Sequence, residues 1–248
     1  MDTEHKNNCL VCGSELVYHG TAESMDCLYC KKTFSSNVGC SRGHYICDAC
    51  HSMGAFEVIK NFGIASDSTE PIQMAKMLMH HPSVKMHGPE HHYLVPAVLL
   101  TAYYNKKGKR KKKERKLKEA FRRSGQVLGG FCGFHGSCGA GVGTGIFMSL
   151  ITDSTPLSTD GWRLSNLMTS QSLASIAERG GPRCCKRTSF LAILKATQFL
   201  KEHFDISINA SEPVRCEFFT LNKECLKNEC PFHPKAVNPM PLGAICSQ

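Results

Sequence analysis

Apolar and polar positions divide this chain unevenly. From residue 55 to about residue 205, apolar residues recur three and four positions apart, the period of a helix with one face turned inward. The spacing predicts helices over Ala55–Phe62, Pro71–His80, Tyr93–Tyr104, Val142–Ile151, Leu164–Arg179 and Ser189–Phe204. Pro71 suits the first turn of its helix. Met74, Met77, Leu78 and Met79 fall at core-facing positions. Tyr93–Tyr104 is apolar nearly throughout, the mark of a buried helix, and Pro96 interrupts it early. Alternating strand patterns are nearly absent, so no large sheet is expected. The predicted fold class is mainly α. A helical core domain (54–208) is flanked by an N-terminal zinc-ribbon or knuckle module (1–53) and a small C-terminal cysteine-rich module (209–248).

Cysteines change the picture before residue 54. The pairs Cys9-x2-Cys12 and Cys27-x2-Cys30 are followed by Cys40, His44, Cys47, Cys50 and His51. A two-residue gap places two sulfurs on one tight knuckle, which grips one side of a tetrahedral zinc. Two pairings fit. In the serial one, favoured here, Cys9, Cys12, Cys27 and Cys30 hold one zinc and Cys40, His44, Cys47 and Cys50 hold another. In the interleaved one, the order from Cys27 resembles the first six ligands of a RING finger, with Cys9 and Cys12 supplying the last two. The family's own closing pair is absent, so ubiquitin-ligase activity does not follow. A module of this size buries too little to stand alone, and metal binding replaces the missing core.

The chain holds 15 cysteines in 248 residues. Its N-terminus is polar, with no signal peptide, and no apolar run is long enough for a bilayer. A cytoplasmic protein with metal-bound thiolates is therefore expected rather than a disulfide framework. The formal net charge of +9 gathers mostly in Lys106–Arg123, whose only acids are Glu114 and Glu119. Leu117, Ala120 and Phe121 recur there at helical spacing. The run suits a solvated helix face, a flexible loop, or a surface for nucleic-acid phosphate. It lacks interleaved aromatics for base stacking.

Three central motifs carry candidate chemistry. Met86-His-Gly-Pro-Glu-His-His92 clusters His87, Glu90, His91 and His92 at a predicted helix start, as metal ligands or acid–base groups, or else as a cap and surface cluster. His80 and His81 are more ordinary. The glycine-rich stretch 129–145 holds Cys132, His135 and Cys138 at a helix entrance. It lacks the lysine, the Ser/Thr and the preceding strand of a phosphate loop. Its small residues instead let a helix lie close to a neighbour or a cofactor. Arg183-Cys184-Cys185-Lys186-Arg187 opens the next helix, with two thiols whose pKa the neighbouring cations would lower, as in a cluster ligand or a reactive thiol, or else a pair of small buried residues. In the tail, Cys216-x8-Cys225-x4-Cys230-x2-His233 resembles the CCCH zinc-finger pattern, with the last two gaps each one residue shorter. Cys246 follows near the end.

These motifs together resemble an uncharacterised domain-of-unknown-function family found mainly in anaerobic archaea and bacteria, over nearly the whole chain. More distantly, GGFCGFHGSCGAG followed by GGPRCCKRTSFLAILKA is similar to the C-terminal part of iron–sulfur serine dehydratases. That resemblance implies a 4Fe–4S cluster with one open iron. Cys132 and Cys185 match its first and last ligands, and Cys138 or Cys184 would stand in for the middle one. Two functions are expected to compete. One is a metal-dependent enzyme, an iron–sulfur lyase or sulfur-handling enzyme with zinc in its knuckles. Cys132, Cys138, Cys184 and Cys185 would hold the metal, His87, Glu90, His91, His92 and His135 would move protons, and Arg183 or Arg187 would hold a small carboxylate-bearing substrate. The other is a zinc-stapled RNA- or protein-binding module using residues 106–123.

Overall fold

The computed structural model describes residues 9, 11–47, 50, 53–208 and 213–239. His51 and Cys246 lie outside the described residues. The architecture is mainly helical, with two cysteine-rich modules and one two-stranded sheet among the described residues.

The most apolar stretch forms the axis of the helical domain. Helix Glu90–Lys106 is buried along nearly all its length, from Tyr93 and Leu94 to Ala102 and Tyr104. Five other helices surround it, namely Ala55–Ala65 (α1), Pro71–Met79 (α2), Arg110–Ser124, Gly139–Ile151 and Cys185–Phe204. The axial helix is α3, Arg110–Ser124 is α4, and the short turn Phe131–Phe134 is α5. Gly139–Ile151 is α6, Asp160–Ala177 is α7 and Cys185–Phe204 is α8. The methionines predicted inward divide as packing residues do. Met74 and Met79 are fully buried, and Met77 packs partly buried against the same core.

Four helices start three or four residues earlier than periodicity predicts, at Glu90, Gly139, Asp160 and Cys185. Each extra turn is made of residues with little hydrophobic signal, so the pattern does not reach them. The glycine stretch is the clearest case, because it is a helix from Gly139 onward. Its glycines are needed for close approach. A Cβ at Gly145 would stand 1.9 Å from Thr169 Oγ1 of α7, and one at Gly143 would stand 3.1 Å from the His92 carbonyl. Pro96 lacks the amide that would otherwise bond that carbonyl, which leaves it facing α6. Thr144 Oγ1 also meets Ser172 Oγ at 2.9 Å, tying α6 to α7.

The basic run is neither a loop nor a wholly solvated face. It forms α4, and two of its lysines are buried. Lys113 Nζ donates to Ser66 O at 2.6 Å and to Asn105 Oδ1 at 2.9 Å. Lys116 pairs with Asp153, Arg123 donates to Ser149 Oγ at 2.7 Å, and Glu119 binds both Arg122 and Arg123. Lys107, Lys109, Arg110 and Lys111 remain exposed.

Outside the helical domain the N-terminal module contains a small sheet, as a zinc-ribbon or knuckle module would, and there is no large one among the described residues. Leu16–Asp26 (β1) and Thr33–Cys40 (β2) pair as an antiparallel hairpin with an irregularity between Tyr18 and Glu23. β1 is exposed along most of its length and does not alternate apolar with polar, whereas β2 half-buries every second residue from Phe34 to Val38.

Candidate metal centres and a central chamber

Hairpin register decides how the N-terminal donors combine. Leu16 pairs with Cys40, which brings the Cys9–Cys12 knuckle before β1 beside the Cys40–His44 turn after β2. Cys12 Sγ lies 3.5 Å from Cys40 Sγ and 3.3 Å from His44 Nδ1. Cys27 and Cys30 occupy the turn joining the strands. The Leu28 amide donates to Tyr45 O at 2.8 Å, drawing the later segment back along the hairpin. Cys47 and Cys50 thereby reach Cys27 and Cys30, with Cys30 and Cys47 sulfurs 3.9 Å apart. The groups are thus Cys9, Cys12, Cys40, His44 and Cys27, Cys30, Cys47, Cys50, each with all donor atoms within 4.8 Å of one another. This corrects the favoured serial pairing, because strand pairing overrides order along the chain.

Sulfur chemistry agrees with metal binding. Burial pushes the Cys27 thiol up, but amide hydrogen bonds from Cys30, Cys47 and Tyr29 outweigh it and bring it down to about 7. Its neighbour Cys50 is pushed well up by burial and by the adjoining sulfurs. A set like this ionises one thiol easily and resists ionising the rest until a cation arrives. The second group is also fastened to the helical core. His81 Nε2 donates to Cys50 O at 2.9 Å, and Tyr29 packs edge-on to His81.

Three of the central motifs meet at one cavity of about 330 Å³. The start of α3 contributes His91 and His92, the segment before α6 contributes Cys132 and Cys138, and the turn into α8 contributes Arg183, Cys184, Cys185 and Arg187. The volume falls at the lower end of small-ligand pockets. We call it the chamber.

The two histidines are held alike. His91 donates from Nδ1 to Gly88 O at 3.0 Å, and His92 donates from Nδ1 to Val127 O at 2.9 Å. Each ring therefore has only Nε2 left to offer a ligand. His91 is 1% exposed, and its Nε2 has no hydrogen-bond partner. Burial, then the nearby Lys186 charge, holds this imidazole well below the usual histidine range, so it is neutral. A neutral ring oriented through Nδ1–H by a carbonyl is the arrangement of a metal-ligating histidine. His92 rests on Gly139, where a Cβ would stand 2.1 Å from its ring. Burial raises the Cys185 thiol to about 11, against an amide hydrogen bond from Gly88.

Several predicted residues do other jobs. His87 lies outside the chamber lining. Its Nε2 meets Asn222 Oδ1 at 3.2 Å and Glu224 at 3.7 Å, so it docks the tail. Glu90 is buried and accepts the Lys85 amide at 2.9 Å, bracing its own loop. His135 is exposed, with its ring tilted against that of Phe131. Arg187 is buried and donates to Gly180 O and Pro182 O, both at 2.8 Å, which shapes the chamber wall. Arg183 is exposed at the rim.

One residue that periodicity and motif spacing passed over is Lys186. It is 1% exposed and donates to Lys85 O at 2.9 Å and Val84 O at 3.3 Å. Burial lowers its pKa to about 8. Its only sequence signal was its place between Cys185 and Arg187.

The tail also gathers. Cys216, Cys225, Cys230 and His233 line a second, small cavity with Phe190, Phe218, Phe219 and Phe232. Glu217 ties this module to α2 through Lys76 and His80, the latter at 2.7 Å.

Fold and site together define a mainly helical protein with two four-donor groups suited to metal ions. The chain belongs to DUF5714, a family of unknown function whose model matches residues 59–233. The match takes in the chamber and the tail but leaves the N-terminal knuckles outside, so the family likeness is narrower than the nearly whole-chain coverage expected. No curated protein and no solved structure matches the chain, and the serine dehydratase resemblance finds no support. Among the described residues no helix is long and apolar enough to cross a membrane.

Proposed function

We propose that this protein is a metal-dependent enzyme with zinc-stapled knuckles, and that the chamber is its reaction site. The observation that carries this is the buried, neutral His91, whose Nε2 stands without a partner in a cavity shared with His92 and three cysteines besides Cys184. An unsatisfied polar atom at such depth costs about 1–3 kcal/mol unless a ligand satisfies it. His91 and His92 would offer imidazole nitrogen, and Cys138, Cys185 and Cys132 would offer thiolate. Mixed nitrogen and sulfur donors suit zinc or iron. A bound metal would supply a Lewis acid at the chamber floor. Arg183 at the rim would hold a small carboxylate-bearing substrate, while Arg187 keeps the Gly180–Pro182 wall in place.

Elemental analysis of anaerobically purified protein tests this. Metal beyond the two knuckle ions is expected, and His91→Gln should lower it while both knuckle ions remain. A His91→Gln variant with unchanged metal content would remove the chamber from consideration as a metal site.

A further inference from the structure

The tail's three cysteines and histidine look self-sufficient in sequence, yet the histidine is engaged elsewhere. His233 Nδ1 accepts the Lys235 amide at 3.1 Å. In a neutral imidazole one nitrogen accepts and the other carries the hydrogen, so Nε2 has no lone pair to give a metal. The structure brings a different fourth donor. Cys184, at the start of α8, lines the small tail cavity with Cys216, Cys225 and Cys230. It also lines the chamber, so one thiol stands on the wall between the two.

The tail sulfurs are held as the knuckle sulfurs are. In the knuckles the amide two residues further on donates to sulfur. Val11 serves Cys9, Tyr29 serves Cys27, and Arg42 N reaches Cys40 Sγ at 3.3 Å. The tail repeats this turn three times. Phe218 N donates to Cys216 Sγ at 3.4 Å, Lys227 N donates to Cys225 Sγ at 3.3 Å, and the Phe232 amide serves Cys230. Cys184, as the N-cap of α8, takes the Arg187 amide at 3.5 Å. Amides aimed at sulfur favour thiolate over thiol.

Size and charge select the occupant. The cavity holds about 10 Å³, room for about one water. A bare ion fits it and a polyatomic ligand does not. Phe190, Phe218 and Phe232 wall it and are buried, so solvent is kept out. Four thiolates around a divalent ion form a net dianion, and two buried cations adjoin it. Arg187 lines the cavity, and Lys186 Nζ lies 5.2 Å from the centre of the Phe218 ring. Four sulfur donors around one ion suit zinc. The knuckle donors all lie within 4.8 Å of one another, and the tail donors are set wider. Binding would therefore draw the tail sulfurs inward onto the cavity.

We propose that Cys184, Cys216, Cys225 and Cys230 hold a single zinc ion that fastens the tail to the first turn of α8, with His233 outside the ligand set. This goes beyond the chamber reading and stands without it.

The test is the zinc content of full-length protein loaded with zinc alone and freed of loosely held metal. Cys184→Ser and Cys225→Ser should each bind one zinc per chain fewer than the parent, and the double variant should also bind one fewer. His233→Ala should match the parent. The loss in Cys184→Ser should be the same in a His91→Gln background, which separates the tail ion from any chamber metal. The proposal fails if either serine variant keeps the parent content or if His233→Ala lowers it. It fails also if the double variant loses two ions, because Cys184 would then serve the chamber. Should the serine variants misfold, cadmium NMR of the cadmium-loaded parent decides. Two four-sulfur signals are expected, one from the Cys27–Cys50 group and one from the tail. A single such signal, with two signals of three sulfurs and one nitrogen, would put His233 in the site and overturn the assignment.

Discussion

The N-terminal knuckles and the chamber are built from the same side chains but hold them differently. In each knuckle group four donors lie within 4.8 Å of one another, leaving room for an ion and nothing else. In the chamber, cysteines and histidines stand around about 330 Å³. The first arrangement suits a staple, because a bound metal would supply the folding energy of a module too small for its own core. The second is held open by a scaffold that already has a core, so its donors are free to face a ligand. Donor identity does not distinguish the two, whereas donor spacing does.

The strongest way to break this contrast is to remove one ligand from each region. Cys47→Ser should lose one of the two knuckle zinc ions and cost at least about 4 kcal/mol, since Cys27, Cys47, Cys50 and Tyr29 belong to the main hydrophobic core. Cys138→Ser should cost under about 1 kcal/mol. Denaturant unfolding with zinc analysis compares them. An equal loss of stability in both would mean that the chamber cysteines are a staple too.

Next in size are two glycine substitutions on one helix. Gly139→Ala and Gly145→Ala each place a Cβ about 2 Å from a neighbour, against the His92 ring and Thr169 Oγ1 respectively. Both should destabilise by about 1–3 kcal/mol through overpacking. Only Gly139→Ala should also lower the metal content beyond the knuckle zinc, because only it displaces a chamber histidine. Matched metal contents in the two variants would show that His92 is a packing residue.

How much of this was legible in the sequence follows from how local each feature is. Knuckle ligands were visible because Cys-x2-Cys is a local turn, but their pairing was not, because the partner of Cys12 is set by strand register 28 residues away. The axial helix was visible from its unbroken apolar run. Helix α4 was visible only at Leu117, Ala120 and Phe121, because the aliphatic stems of Lys113 and Lys116 supply the rest of its inner face. His91, His92, Cys138 and Cys185 were named from motif chemistry and do share a cavity. His87, Glu90 and His135 sit in the same motifs and point elsewhere, a difference fixed by the turns at Gly88 and Gly136 rather than by residue type.

A smaller effect is expected where the tail module meets α2 through Glu217. Hydrogen bonding to His80, then Lys76, holds the Glu217 carboxyl down at about 2 from an ordinary 4.5. A depressed carboxylate contributes stability above pH 4.5 and loses it as pH falls toward 2. Because Glu217 is half exposed, the contribution should be about 1 kcal/mol or less. Glu217→Gln should therefore cost little at pH 7 and flatten the stability profile between pH 4.5 and 2. A cost of several kcal/mol at pH 7 would mean that Glu217 is a principal fastening of the tail rather than a minor one.

The least effect on stability is expected at the rim. Arg183 is exposed, so Arg183→Gln should change unfolding free energy by under about 0.5 kcal/mol. Its effect belongs to binding, because an arginine at a cavity mouth meets a carboxylate through two parallel hydrogen bonds. Small carboxylates that protect the Cys132 or Cys185 thiol from alkylation in the parent should protect it less in Arg183→Gln. Cys12 and Cys30 should react equally slowly in both proteins while zinc is bound. If carboxylates protect the knuckle thiols and the chamber thiols alike, then the chamber admits no ligand that the staple excludes, and spacing alone would not separate the two regions.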